Sequence, residues 1–315
     1  MSALRLVSTR DMPREEWLQW RRQGIGSSDA AAAVGLSPYQ SPLALWLEKT
    51  GQVEPEDLSS KEAVYWGTLL EPLIAQAYSE RTGKKVRRVQ AVLQHPQYPF
   101  MLANLDRQIE GGGILEIKTA GLRSEKLWAE SVPLHYQMQV FHQLAVTGKA
   151  WAEVAVLLGG QELRIYRLEP TQEQLKTLVT QEQAFWQHVE GNTPPEVDGS
   201  ESCNRALAAL YPQSSSILVD YQDREDMNRL FGKLLRARKT AKAAEQTESL
   251  LEQRVKEAIG TAEGAIFATG KALWKSTQPR KFLDTTALQQ HHPELLAPYW
   301  VEKPGSRRFT VQEGE

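Results

Sequence analysis

Glu116 and Lys118 stand two residues apart in ILEIKTA, residues 114–120. In an extended strand both side chains leave one face, while Leu115 and Ile117 leave the other. An ordinary surface ion pair gives the same spacing. Asp106 lies ten residues before Glu116 in ANLDRQI, with Gly111, Gly112 and Gly113 as a turn between them. Adjacent antiparallel strands joined there bring its carboxylate to the face of Glu116 and Lys118. Two crowded carboxylates repel each other unless a cation lies between them. A small set of oxygen ligands suits Mg²⁺, which keeps waters or phosphate oxygens in its other positions. A lysine beside it orients or helps to deprotonate an attacking water, or stabilises charge growing on a phosphate.

Glu71 is a further acidic candidate. In WGTLLEPLIAQAY it sits among Leu69, Leu70, Leu73 and Ile74, and no charged residue lies three or four positions away to pair with it on a helix. GIGSSDAAAAV offers an anion site: backbone N–H groups at a helix start, hydroxyls from Ser27 and Ser28, and the guanidinium of Arg21 one turn upstream. A capped helix without a ligand explains that stretch equally well. In HYQMQVFHQLAVTG, Tyr136, Gln139 and His142 share a polar helix face. His135 and His142 are seven apart, which lacks the four-residue spacing of a helical zinc pair, so they are not read as metal ligands.

The elements that must position these groups are legible from periodicity. REEWLQWRR, an alanine-rich segment after Ser27, Ser28 and Asp29, SPLALWLEK and residues 60–83 read as successive helices. From KKVRRVQAVLQ through FMLANLDRQIE to ILEIKTA the pattern alternates, predicting a three-stranded antiparallel meander. Helices follow at SEKLWAE and at HYQMQVFHQLAVTG. Two strands, AEVAVLLGG and ELRIYRLE, then precede a helix over 172–190. This order predicts a mixed sheet between helices. The proline- and glycine-rich stretch 191–200 is the expected boundary, dividing a core over 1–195 from a helical extension over 196–315 packed on it. A long charged helix is expected over 222–258, followed by a short alternating segment and a basic tail that includes Lys303, Arg307 and Arg308.

Of the 315 residues, 41% are hydrophobic and 24% charged, an ordinary globular balance with length for a large core. One cysteine, Cys203, excludes a disulfide framework or a cysteine-ligated cluster and fits a reducing compartment. No signal-peptide pattern or membrane-length apolar run is present, so the chain is read as cytoplasmic with no membrane partner. The formal net charge of −2 excludes a uniformly basic nucleic-acid binder. Local basic clusters, KKVRR at 84–88 and the tail, must carry any phosphate contacts.

Four blocks together, WLQWRRQGIGSSDAAAAVGLSPY, WGTLLEP, LDRQIEGGGILEIKTA and YQMQVFHQLAVTG, resemble the lambda-exonuclease or YqaJ-type phage recombination nucleases, a branch of the PD-(D/E)xK superfamily. The resemblance covers about residues 15–190. It implies an α/β (α+β) restriction-endonuclease-like core and a 5′-to-3′ exonuclease acting on double-stranded DNA ends. It also implies Mg²⁺, which Mn²⁺ replaces, with two ions bound. The 3′ single strand left behind would pass to a single-strand annealing protein, and the enzyme would form a ring-shaped trimer. Carried over by position, Asp106, Glu116 and the main-chain carbonyl of Ile117 would hold metal, with Glu71 at a second ion or its waters. Lys118 would manage the water, Gln139 its network, and Arg21 and Ser28, with Ser27 and Tyr136 nearby, would hold the 5′ phosphate and the DNA. Three positions depart from the family pattern. Leu105 stands where a proline commonly precedes the aspartate. Arg107 stands where a glycine commonly follows the aspartate, and Phe141 replaces a second glutamine, leaving Gln139 as the expected polar contact. A structure-specific endonuclease of the same superfamily and a non-catalytic DNA-end-binding scaffold are the competing readings.

Overall fold

The sheet that carries Asp106, Glu116 and Lys118 has seven strands. The computed structural model describes residues 2–57, 60–302 and 305–312; Lys303 of the basic tail lies outside them. In chain order the strands are β1 (Leu4–Ser8), β2 (Ile25–Gly26), β3 (Val86–Gln94), β4 (Met101–Ile109), β5 (Ile114–Ala120), β6 (Ala152–Leu158) and β7 (Glu162–Leu168). They lie side by side as β1-β3-β4-β5-β6-β7, with β2 pairing alongside β4. The expected meander β3-β4-β5 is antiparallel, β5 and β6 are parallel, and β6 and β7 are antiparallel, so the sheet is mixed. Strand β1, not expected from periodicity, pairs antiparallel with β3 at the edge.

Before β3 come the helices α1 (Arg14–Arg22), α2 (Ala30–Ala33), α3 (Pro42–Lys49) and α4 (Glu62–Thr82). A parallel β5/β6 pair needs a crossover, and α5 (Leu134–Thr147) supplies it. Val140 and Leu144 of α5 pack on Ile114 of β5 and on Val154 and Val156 of β6. On the opposite face, Ile74, Ala75 and Tyr78 of α4 pack on Leu115, Ile117 and Ala155. The period-2 alternation of β5 thus sends its apolar pair to α4 and Glu116 and Lys118 toward α5.

Three sequence expectations are corrected. The stretch SEKLWAE is not an α-helix: residues 122–128 form 3-10 turns, and the Trp128 carbonyl accepts from the side chains of Arg164 and Tyr166 rather than continuing a helix. The alanine-rich helix is only Ala30–Ala33, entered through a 3-10 turn at Ser27–Asp29. The boundary expected at 195 also moves. After α6 (Gln172–Glu190) the helix α7 (Glu201–Leu210) buries Cys203 and Ala206 against α3, so the compact units are Met1–Pro212 and Gln213–Glu315. Stretch 191–200 is a surface connection inside the first unit, because the apolar face of α7 returns to the core. The second unit holds α8 (Glu225–Ile259), the hairpin β8 (Gly264–Phe267) and β9 (Gly270–Leu273), and short helices beyond. Among the described residues, no helix is long and apolar enough to cross a membrane.

His142 is fully buried and locks α5 to its neighbours. Its Nδ1 faces Glu182 Oε1 of α6 at 2.8 Å, and its Nε2 faces the Leu102 carbonyl of β4 at 2.9 Å. Burial opposes charge on the ring, but Glu182 and the carbonyl outweigh it and raise the pKa above the usual histidine value. A raised folded-state pKa gives stability that is complete below the unfolded value of about 6.5 and is lost as pH rises through the folded value. Thermal midpoints measured between pH 6 and 9 are therefore expected to fall with pH in the native chain and to fall less steeply in His142→Gln. Equal slopes would show that the imidazolium does not hold these elements together.

Candidate active site

Strands β4 and β5 are paired at Arg107 with Leu115 and at Gln108 with Ile114, and the ladder goes no further. Where it ends, the Ile117 N–H donates to Asp106 Oδ2 at 2.8 Å, so a side-chain carboxylate takes the place of a backbone carbonyl. That substitution fixes Asp106 beside Glu116, as the turn geometry predicts. Burial and the repulsion of Glu116 push the Asp106 pKa up to about 8, with Lys118 only partly offsetting them.

Glu116 is 3% exposed and accepts from both sides. Gln139 Nε2 donates to its Oε1 at 2.6 Å, and Gln143 Nε2 donates to its Oε2 at 2.7 Å. Lys118 Nζ lies 2.7 Å from Glu116 Oε1, donates to Gln139 Oε1 at 3.0 Å, and stands 4.9 Å over the Tyr136 ring. Burial disfavours the lysine's charge, yet Glu116 and Asp106 outweigh that cost and raise its pKa, so it stands as an ammonium. The replacement at Phe141 does not leave Gln139 alone: Gln143, one helical turn further on, supplies the second amide. Its spacing of four from Gln139 was the available signal, and sequence reasoning missed it.

Arg21 and Ser28 come together on the other side. Arg21 Nη2 donates to Ser28 Oγ at 3.1 Å and pairs with the Asp29 carboxylate, and its guanidinium lies 5.0 Å from the Trp17 ring centre. Asp29 also takes Lys49 Nζ at 2.7 Å and the Gly26 N–H at 3.0 Å. Burial alone would raise its pKa, but Lys49 and Arg21 hold it well below the carboxylate range. A four-residue helix contributes little dipole, so an anion there would rest on Arg21 and hydroxyls rather than on the helix start. Asp29 and Lys49, which aim Arg21, are residues the sequence reading did not single out. Glycine is required on the approach: a Cβ at Gly24 would be driven into the Phe100 carbonyl oxygen.

One cavity of about 140 Å³ joins the two groups, lined by Arg21, Ser27, Ser28, Asp106, Glu116 and Gln139 among others. Ser27 Oγ is buried there without a hydrogen-bond partner among the described residues. An orphaned hydroxyl beside a guanidinium fits an anionic ligand, and two carboxylates that burial holds together fit a divalent cation. Asp106 and Glu116 supply the carboxylate oxygens that line the cavity. Two expected members stand differently. Glu71 pairs with Arg107, which also donates to the Asp106 carbonyl at 2.6 Å; among the described residues no three Asp, Glu, His or Cys side chains converge as a metal cluster. Tyr136 stacks on Trp128, with Lys118 over its ring.

Residues 16–150 match the YqaJ-like viral recombinase domain. The YqaJ protein of Bacillus subtilis (strain 168) is 36% identical over 313 residues, spanning 98% of this chain and 97% of that one. The chain belongs to the family of YqaJ-like viral recombinases. Solved structures with a similar fold include an alkaline exonuclease from Laribacter hongkongensis (21% identity, 62% of this chain and 99% of that one, TM-score 0.48). Another is a phage-related exonuclease from Haemophilus somnus 129PT (10% identity, 56% and 99% coverage, TM-score 0.42). Likeness at this level carries no residue or activity across.

Proposed function

We propose that this chain is a divalent-metal-dependent exonuclease that shortens the 5′-ended strand of double-stranded DNA from its ends. It would leave a 3′ single strand for an annealing protein in recombination. The observation that supports it most is the single cavity in which Arg21, Ser27 and Ser28 face the pair Asp106 and Glu116. A phosphate-gripping group beside a cation-binding pair selects for a terminal phosphate next to a scissile one.

Asp106, Glu116 and the Ile117 carbonyl would hold Mg²⁺ or Mn²⁺, one ion or two. Bound there, a metal would supply water activation and charge stabilisation on the attacking and leaving oxygens. The chain's own contribution is positional. Gln139 and Gln143 hold both oxygens of Glu116 in place, and Lys118, kept cationic by its neighbours, orients the attacking water and offsets charge on the phosphate. Water adds to phosphorus and the bond to the 3′ oxygen breaks, releasing a 5′-mononucleotide. The shortened strand again ends in a 5′ phosphate, so each turnover regenerates the group that Arg21 recognises.

The test uses linear duplex DNA labelled at one 5′ or one 3′ end, beside covalently closed circles, with Mg²⁺ and with EDTA. Metal-dependent release of the 5′ label first, with circles intact, is the expected result. Cutting of circles would establish an endonuclease instead, and binding without cleavage a scaffold.

A further inference from the structure

Helix α8 is 35 residues long, and Ile259 is its one buried residue. At 1.5 Å per residue it extends for about 52 Å. Helices in proteins are stabilised mainly by packing an apolar face, and that of α8 is only half covered: residues 218–221 and Phe309 line it near its start and Leu273 and Trp274 near its end, leaving Met227, Leu234 and Val255 half-buried. Taken as heptads from Met227, every core position through Ala258 is apolar or alanine except Glu248. Leu230 and Leu251 on this stripe are 58% and 53% exposed. Two grooves open along it within the second unit. One, of about 930 Å³, lies beside Met227, Leu230 and Leu234; the other, of about 620 Å³, lies beside Leu251 and Val255.

We propose that α8 pairs with α8 of a second copy of this chain as an antiparallel two-stranded coiled coil. Charge decides the partner and the direction. Residues 225–242 carry six Lys and Arg against two Asp and Glu, whereas residues 243–259 carry four Glu against two Lys and Arg. A parallel pair sets like halves side by side; an antiparallel pair sets each basic half against an acidic one.

The register agrees independently. A two-fold axis between Ala241 and Ala244 places Leu234 against Leu251, Leu230 against Val255 and Met227 against Ala258, each a first heptad core position against a second. Glu248 falls opposite Ala237, where the small side chain leaves its carboxylate room to reach the boundary. At the flanks Arg238 comes beside Glu245; Lys233 beside Arg254 is the like-charged exception. The two grooves then receive the two ends of the second helix.

Two variants of the full chain test this pairing. Leu234→Cys and Leu251→Cys are each prepared alone and as an equimolar mixture under mild oxidation; the native Cys203 is buried and does not compete. A covalent dimer several-fold more abundant in the mixture than in either variant alone is expected. Equal self-linking by each variant alone would show parallel pairing, and no link in the mixture would show an unpaired helix; both overturn the proposal.

Discussion

Asp106→Asn, Glu116→Gln and Lys118→Ala are each expected to lower the rate of 5′-label release by about 10³-fold or more while leaving DNA binding largely intact. That corresponds to about 4 kcal/mol of transition-state stabilisation, at the upper end of what one preorganised charged group supplies. The geometry says why isosteric changes suffice. Glu116 accepts from amides on both sides, so an amide in its place turns one of its ends into a donor facing the donor of Gln139 or Gln143. Asp106→Asn keeps one acceptor for the Ile117 N–H but removes the charge that, with Glu116, calls for a cation. Lys118→Ala removes the ammonium and leaves Glu116 with its two amides, so the fold survives and the loss reads out in chemistry. Gln143→Ala separates positioning from chemistry: its loss is expected near tenfold, because one of two amides remains on the carboxylate. Initial rates in Mg²⁺ beside anisotropy binding in Ca²⁺ measure both quantities. Lys118→Ala retaining activity within tenfold of the native chain would remove the lysine from the mechanism.

The strand face that carries Glu116 and Lys118 was readable because a period of two is nearly local physics. The meander and the meeting of Asp106 with Glu116 followed from it, whereas the parallel pairing of β5 with β6 across α5 was not foreseen beyond a mixed sheet. What escaped was set by tertiary contacts. Gln143 reads as one more polar residue in an amphipathic helix, and only the packing angle of α5 on β5 makes it a ligand of Glu116. Lys49 sits in a helix twenty residues from Asp29, and nothing local joins them; burial of both is what forces the pair. Glu71 shows the complementary case. Its helix offers no partner, so it looked free for a metal, while its partner Arg107 comes from a strand thirty-six residues later. That arginine, at the position expected for glycine, pairs with Glu71 on the α4 side of the site, where the Glu71 carboxylate still adds to the upward push on Asp106.

Arg21→Ala is expected to reduce the preference for 5′-phosphorylated over 5′-hydroxyl duplex ends by about 10- to 100-fold, the span of one charge-assisted hydrogen-bonding group at about 1.5–3 kcal/mol. Stability is expected to change less, because Asp29 keeps Lys49 Nζ and the Gly26 N–H when the guanidinium goes. Arg21→Lys preserves charge but not the planar fork, so most of the preference should still be lost. Ser27→Ala gives the cleaner comparison. Its hydroxyl has no partner among the described residues, so its removal costs the folded chain no hydrogen bond and relieves a buried polar atom. Thermal midpoint unchanged or slightly raised, with a several-fold loss of 5′-phosphate preference, is the combination that a phosphate seat produces and a structural hydroxyl does not. Competition between phosphorylated and unphosphorylated ends in one reaction measures the preference directly. A ratio that stays constant across Arg21→Ala and Ser27→Ala would mean that the cavity beside the carboxylates binds no terminal phosphate, and end-directed cutting would lose its structural basis.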